Sequence, residues 1–315
     1  MDDFQKLLLQ HKDEDFLVIN PPGTKGDQLI LMGLEKKLRE LNIHYRLFHF
    51  GSESLFRKIC DLADRQFLRY AKNVRKKWER IMFQISNTLS RKAHIILDAS
   101  QSVFLLRGGG YINDIWKDYN VLCSIFQAVQ NKQDFIVIIS PQSFYFVSTY
   151  FPRFFDKIKQ PVHIFCREKY SYRILESMTF PKNVHIHLSH DTALYLSKED
   201  FSLRDRNESY ILIAPRNDRE SAVTWDKRKI HGSTKTLFGD IIKLDKFNDY
   251  VNIIWNARQV YTDRLHNAIL SALLGKDTFL YPNSYHKNKG VYEFSLSAYP
   301  NVKFVNSYEF QGVKS

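Results

Sequence analysis

The stretch Gln259-Val260-Tyr261-Thr262-Asp263-Arg264-Leu265-His266-Asn267-Ala268-Ile269-Leu270 decides the fold. Gln259 to Tyr261 reads as a short strand, and Leu265 to Leu274 reads as a helix. Thr262 to His266 fills the junction. A strand running straight into a helix is part of a βαβ unit, and α/β proteins place their ligands where such strands end. In extended backbone, residues i and i+2 project to the same side, so Arg264 and His266 are expected to face a ligand together. A guanidinium holds an anion, and an imidazole titrating near neutrality can move a proton.

The same alternation extends in both directions. Upstream, strands are predicted at Phe16 to Asn20, Tyr45 to Phe50, His94 to Asp98, Val103 to Arg107, Phe135 to Ser140, Val162 to Phe165 and Val184 to Leu188. Helices are predicted at Gln28 to Leu41, Asp114 to Gln130 and Tyr170 to Met178, with an aromatic-rich helix after Pro141-Gln142-Ser143. A second unit opens with strand Tyr210 to Ala214. It continues through helix Phe247 to Ala257, the quoted stretch, strand Thr278 to Tyr281, helix Lys289 to Ser297 and strand Val302 to Val305. Residues 198–208 are polar and aperiodic, which suits a linker. The pattern predicts an α/β fold of two Rossmann-like domains facing a cleft. These are residues 1–200, with a basic helical insertion at about 52–92, and 205–315, carrying the Thr262–His266 motif.

Of the 315 residues, 44% are hydrophobic and 25% charged, an ordinary balance for a soluble globular protein. No apolar run reaches the ~18–20 residues of a membrane span, and Met1-Asp2-Asp3 lacks the basic start of a signal peptide. A cytoplasmic location is expected. Cys60, Cys123 and Cys166 show no CxxC spacing and read as reduced thiols. His185 and His187 lie at strand spacing beside His190 but have no Cys or carboxylate partner in place, so no metal is expected.

The net charge is +12, and residues 57–92 hold eleven Lys or Arg against three acids. Apolar residues recur there in steps of three and four, a helical stripe expected to break near Asn73 or Asn87. The patch is either a solvated helix face or a site for nucleic acid, anionic lipid or a lipid-linked diphosphate. Phe67, Tyr70, Trp78 and Phe83 fall at core spacing rather than on a flat stacking platform, which argues against nucleic acid.

Other strand ends carry candidate groups. In Arg107-Gly108-Gly109-Gly110, Gly109 and Gly110 allow close backbone approach to a ligand, and a helix near Asp114 would aim N–H groups at an anion. The run is not the GxGxxG of a dinucleotide site. Asp27, after Gly26, is an N-cap or a ligand contact. Arg167 offers a planar fork for carboxylate or phosphate, or else an internal salt bridge. Asn283 to Lys289 is a polar loop whose cations could close over the same anion.

Together these segments resemble the polysaccharide pyruvyltransferase family. The resemblance runs through Gly26-Asp27, Arg107-Gly108-Gly109-Gly110 with Asp114, Pro141-Gln142-Ser143, and Arg167-Glu168 with Ser171. It continues through Asp191-Thr192-Ala193, Arg216-Asn217-Asp218-Arg219-Glu220, Thr262 to His266, Gly275-Lys276, and Asn283-Ser284-Tyr285 with Lys289-Gly290. It implies a fold similar to B-type glycosyltransferases. The implied reaction is transfer of a pyruvyl group from phosphoenolpyruvate to two hydroxyls of one sugar residue, forming a ketal and releasing phosphate. The acceptor would be a cell-surface polysaccharide or its lipid-linked precursor, reached from the inner face of an anionic membrane, with no cofactor. By the family pattern His266 is the catalytic acid/base. Arg167, Arg264, Lys289, Gly109 and Gly110 bind the donor, and Asp27, Asp114, Arg216, Asp218 and Glu220 are acceptor-binding or structural. The rival readings are a nucleotide-sugar-dependent glycosyltransferase of the same architecture and a basic nucleic-acid- or anion-binding protein.

Overall fold

A computed structural model describes residues 1–49, 102–116, 120–129, 132–147, 151–229 and 235–313. The expected strand at 94–98 and the basic helical stripe at 57–92 lie outside the described residues.

The first sheet is six-stranded and parallel, in the order β2-β1-β3-β4-β5-β6. Its strands are β1 (Phe16–Asn20), β2 (Tyr45–His49), β3 (Val103–Leu106), β4 (Ile136–Gln142), β5 (Val162–Cys166) and β6 (Val184–Leu188). The second is five-stranded and parallel, in the order β11-β10-β9-β7-β8. It comprises β7 (Tyr210–Ala214), β8 (Thr236–Phe238), β9 (Ala257–Thr262), β10 (Asp277–Leu280) and β11 (Val302–Phe304). Parallel strands covered on both faces read as continuous apolar runs, and β3 and β4 are buried along their whole length. Alternate residues of β1 serve different cores. Leu17 and Ile19 pack with Phe104, Leu106 and Val137, while Phe16 and Val18 pack with Val103, Leu105 and Phe4.

Seven α-helices connect these strands among the described residues: α1 (Asp3–Gln10), α2 (Lys25–Glu40), α3 (Asn120–Val129), α4 (Lys169–Glu176), α5 (Phe247–Trp255), α6 (Leu265–Leu273) and α7 (Lys287–Phe294). α2 is the element that ties the two sheets. Leu31, Leu34 and Leu38 enter a core of the first sheet, whereas Leu29 packs with Ala193, Leu265 and Ala268 in the core of the second. Thr192, just beyond β6, donates its hydroxyl to the Ile30 carbonyl at 2.9 Å and locks that seam.

Several boundaries differ from the sequence expectation, each for a local reason. α2 starts at Lys25 rather than Gln28, because Thr24 and Asp27 form a reciprocal capping box. Asp27 is therefore the third helical residue and not the N-cap. Asp114 does not open a helix: the Asn113 side chain accepts from the Ile115 and Trp116 N–H groups and winds a turn instead. No helix directly follows Ser143, and the aromatic segment closes as a single 3-10 turn, Phe151–Phe155. The polar segment after Leu196 is pinned to the helix α5 region. Arg204 donates its N–H to Asn252, Asn207 donates its N–H to Asn256, and Trp255 donates to the Arg204 carbonyl.

Candidate active site

In each sheet the strand order reverses at one place, between β1 and β3 in the first and between β7 and β9 in the second. A crevice opens at the carboxyl ends of the strands flanking such a reversal. Asp27 and the triple glycine occupy the first crevice, and Arg216 and the Asp263–His266 run occupy the second.

Arg167 follows β5 and is almost wholly buried. Its Nε donates to the Ser143 hydroxyl at 2.8 Å and its Nη1 to Asp191 Oδ2 at 2.6 Å. The same Asp191 oxygen lies 3.4 Å from His266 Nε2, which is 3.5 Å from Arg167 Nη1. One carboxylate thus holds a guanidinium and an imidazole brought together across 99 residues of sequence. The other Asp191 oxygen accepts from the Ala193 N–H, which fixes its direction. Burial works to raise the Asp191 carboxyl, but Arg167 and His266 outweigh it and hold it well below the usual carboxylate range.

Two glycines shape this cluster by what they lack. A methyl group on Gly26 would stand 2.6 Å from His266 Nδ1, so the imidazole rests directly on the first turn of α2. A methyl group on Gly110 would stand 3.0 Å from Arg167 Nη2 and 3.4 Å from the Tyr285 hydroxyl. The neighbouring Gly109 has φ +145°, backbone that side-chain-bearing residues rarely adopt.

On the far side of Gly110 stands Lys287, at the start of α7, not Lys289. Lys287 is buried and pairs with Glu220, whereas Lys289 is half-exposed and lies 3.9 Å from Glu293 on its own helix. Two residues along a helix turn a side chain to the other face, so Lys287, not Lys289, is the lysine beside Gly110. Burial and repulsion from Arg216 and Arg167 bring Lys287 down to about 8 in spite of Glu220. Glu220 is the hub of this half. Its Oε2 accepts from Arg216 at 2.6 Å, from Asn283 at 3.1 Å and from Lys287, and its Oε1 accepts from the Trp116 indole at 2.6 Å. The Tyr285 hydroxyl, in contrast, is buried with no hydrogen-bond partner among the described residues. Burial raises it well above the ordinary phenol value, so it is a donor at every physiological pH.

Arg264 departs from the expectation of a shared orientation with His266. It is the extended N-cap of α6, while His266 is already one residue inside the helix. The two side chains diverge. Arg264 grips Asp240 with Nε and Nη2, each at 2.6 Å, and lies 3.1 Å from Asp218. It sits in an alternating chain of charges that Asp218 extends to Arg216. Donor binding by Arg264 therefore requires breaking a bidentate pair. Asp218 and Arg216 are likewise occupied with each other, and Asp114 accepts from the Val147 N–H. Asp263, between these charges, receives the Arg216 N–H at 2.7 Å, yet burial pushes its carboxyl up to about 6.

Sequence reasoning brought Arg167, His266 and the glycine turn into one place. It did not single out Lys287 or Asp191, which lie in the same cluster. Asp191 stands three residues past the end of β6, in the loop that follows that strand, whereas Arg167 follows β5 directly. Among the described residues no group of three or more His, Cys, Asp or Glu could hold a metal ion. His185 lies in a stack with His163 and His187, while His190 bonds Ser295 instead.

The family model described as polysaccharide pyruvyl transferase matches residues 25–285. A Bacillus subtilis (strain 168) protein named "Putative pyruvyl transferase EpsO" is 25% identical over 280 residues, covering 76% of this chain and 80% of that protein. The crystal structure of the uncharacterized protein KP1_0663 from Klebsiella pneumoniae subsp. pneumoniae NTUH-K2044 shares the fold. It has a TM-score of 0.60 at 22% identity and covers 96% of this chain and 97% of that one.

Proposed function

The chain belongs to the polysaccharide pyruvyl transferase family, and we propose that it moves a pyruvyl group from phosphoenolpyruvate onto two hydroxyls of one sugar residue. The single observation that supports this most is the cluster at Gly110, where Arg167, Lys287 and the Tyr285 hydroxyl surround one stretch of backbone beside His266. Phosphoenolpyruvate presents a carboxylate and a phosphate on three carbons. It needs several donors in a small space, and a group able to hand over a proton.

The first hydroxyl oxygen bonds to C2 of the enol while a proton adds to C3, so the methylene becomes methyl and the hydroxyl proton passes to a base. The second hydroxyl then bonds to C2 as the C2–O bond to phosphate breaks, and the electron pair and that hydroxyl's proton leave with phosphate. His266 supplies the C3 proton and recovers one from a hydroxyl. Asp191 orients the imidazole and stabilises its charged form, and Arg167 and Lys287 offset the charge on the departing phosphate. No cofactor enters this scheme.

The acceptor in this reading is a polysaccharide repeat or its lipid-linked precursor. We read residues 1–200 and 205–315 as two lobes between which it enters. The basic segment at 52–92, outside the described residues, would face an anionic membrane. Among the described residues no helix is long and apolar enough to cross one.

The test is phosphate release from phosphoenolpyruvate in the presence of simple glycosides, with mass spectrometry of the product. The expected product is a pyruvylated glycoside, and His266→Ala is expected to lose about 10²–10⁴-fold in turnover. Release of phosphate with no acceptor modified, or full turnover without the imidazole, would refute the assignment.

A further inference from the structure

A cavity of about 480 Å³ lies between the carboxyl ends of β1 and β2, the first turn of α2 and the segment Ile242 to Asp245. Its size falls in the range of small-molecule sites, about 300–1,000 Å³. None of Arg167, His266, Lys287 or Tyr285 lines it. It is a second space beside the donor cluster, and Asp27 is the wall between them. The Asp27 carboxylate faces the cavity, pairs with Arg107 at 2.9 Å and lies 3.4 Å from where a side chain on Gly109 would begin. The preceding residue, Gly26, carries His266 on its back.

The lining has two characters. Asn20, Asp27 and His49 offer hydrogen-bonding groups, and Leu31, Ile242 and Leu244 offer apolar surface. A pyranose has the same duality, with hydroxyls around its rim and C–H groups on its faces. Both lining cations are already partnered. Arg107 is on Asp27, and Lys25 donates to the Asp245 carbonyl at 2.7 Å. A neutral polyol fits this balance better than a second phosphate. Asp27 has acceptor capacity left: a carboxylate takes about four hydrogen bonds, and here Thr24 supplies two and Arg107 one contact. Burial works to raise this carboxyl, but Arg107 and the Thr24 N–H outweigh it and hold it below its ordinary value. It is therefore ionised, and an acceptor, at neutral pH.

We infer that this cavity is the acceptor subsite: it seats a neutral sugar ring, with Asp27 accepting a hydrogen bond from one of the hydroxyls that it turns toward the donor. This rests on the transfer reaction proposed above, in which two hydroxyls of one ring must reach a single donor carbon. Asp27 is the lining carboxylate that also touches the glycine turn.

The experiment uses the full chain without donor. Saturation-transfer NMR reads binding of methyl glycosides of glucose, galactose, mannose and N-acetylglucosamine to the wild type and to Ile242→Trp. That substitution fills the cavity from its apolar wall and touches nothing in the donor cluster. At least one glycoside is expected to show transfer with the wild type, falling at least tenfold in the variant. The melting-point rise with phosphoenolpyruvate should be the same in both. Leu244→Trp, on the same wall, serves if Ile242→Trp does not fold. Transfer that persists in the filled cavity, or is absent for every glycoside with the wild type, overturns the subsite. Transfer abolished by the tryptophan while phosphoenolpyruvate binds neither protein upholds the subsite and refutes the donor.

Discussion

Asp263→Asn should make this protein more stable at neutral pH, although it removes a buried side-chain charge beside an arginine. Asp263 is fully buried, and its carboxyl is raised from 3.8 to about 6. Burial is the main cause, and it outweighs the Arg216 N–H and charge. A group whose folded value lies above its unfolded value binds more protons folded than unfolded. Its ionisation therefore costs stability as pH rises through the window from about 4 to about 6, and the full cost persists above that window. A shift of roughly 2 units corresponds to ~3 kcal/mol. Asparagine keeps a carbonyl oxygen for the Arg216 N–H and sacrifices only the long contact to the Trp225 indole, at 3.5 Å. The variant should match wild type near pH 4 and exceed it by up to ~3 kcal/mol near pH 8, which at this chain length is a melting-point gain of roughly 5 °C. Differential scanning fluorimetry of both proteins across that range measures it. A stability difference that does not change with pH, or that runs the other way, would refute the reasoning.

Two further outcomes follow from the packing. Gly26→Ala forces a methyl carbon to 2.6 Å from His266 Nδ1. It should cost ~1–3 kcal/mol as overpacking and depress turnover by moving the imidazole, which steady-state kinetics beside a melting curve would separate. Asp191→Ala leaves the Arg167 guanidinium buried without its carboxylate. A loss of ~3–5 kcal/mol is expected, measured by denaturant unfolding, and Asp191→Asn should lose less because the Ala193 cap survives.

Much of the frame was readable from residue order because strands buried on both faces write themselves as apolar runs. β1 and β7 appear with the bounds their hydrophobicity suggests. β8 escaped notice because Thr236–Phe238 is only three residues long and partly exposed. Arg167 and His266, which the fold brings together, could be singled out because a charged or titratable side chain just past a strand leaves a local trace. Arg264 was misjudged for the converse reason: its fate is set by Asp240, 24 residues away, and no spacing rule announces that pair. Lys287 was passed over for Lys289 because helix α7 begins two residues earlier than its periodicity implied. A slip of two positions is enough to exchange an inward cation for an outward one.

The bare α-carbon of Gly26 beneath His266 has an evolutionary corollary. Position 26 takes a side chain only if the imidazole at position 266 moves, so the two sites are not free to vary alone. In any homologue where the first has acquired a side chain, the second should have changed as well. Paired replacement at these positions, 240 residues apart in the chain, would record a physical collision as a statistical correlation.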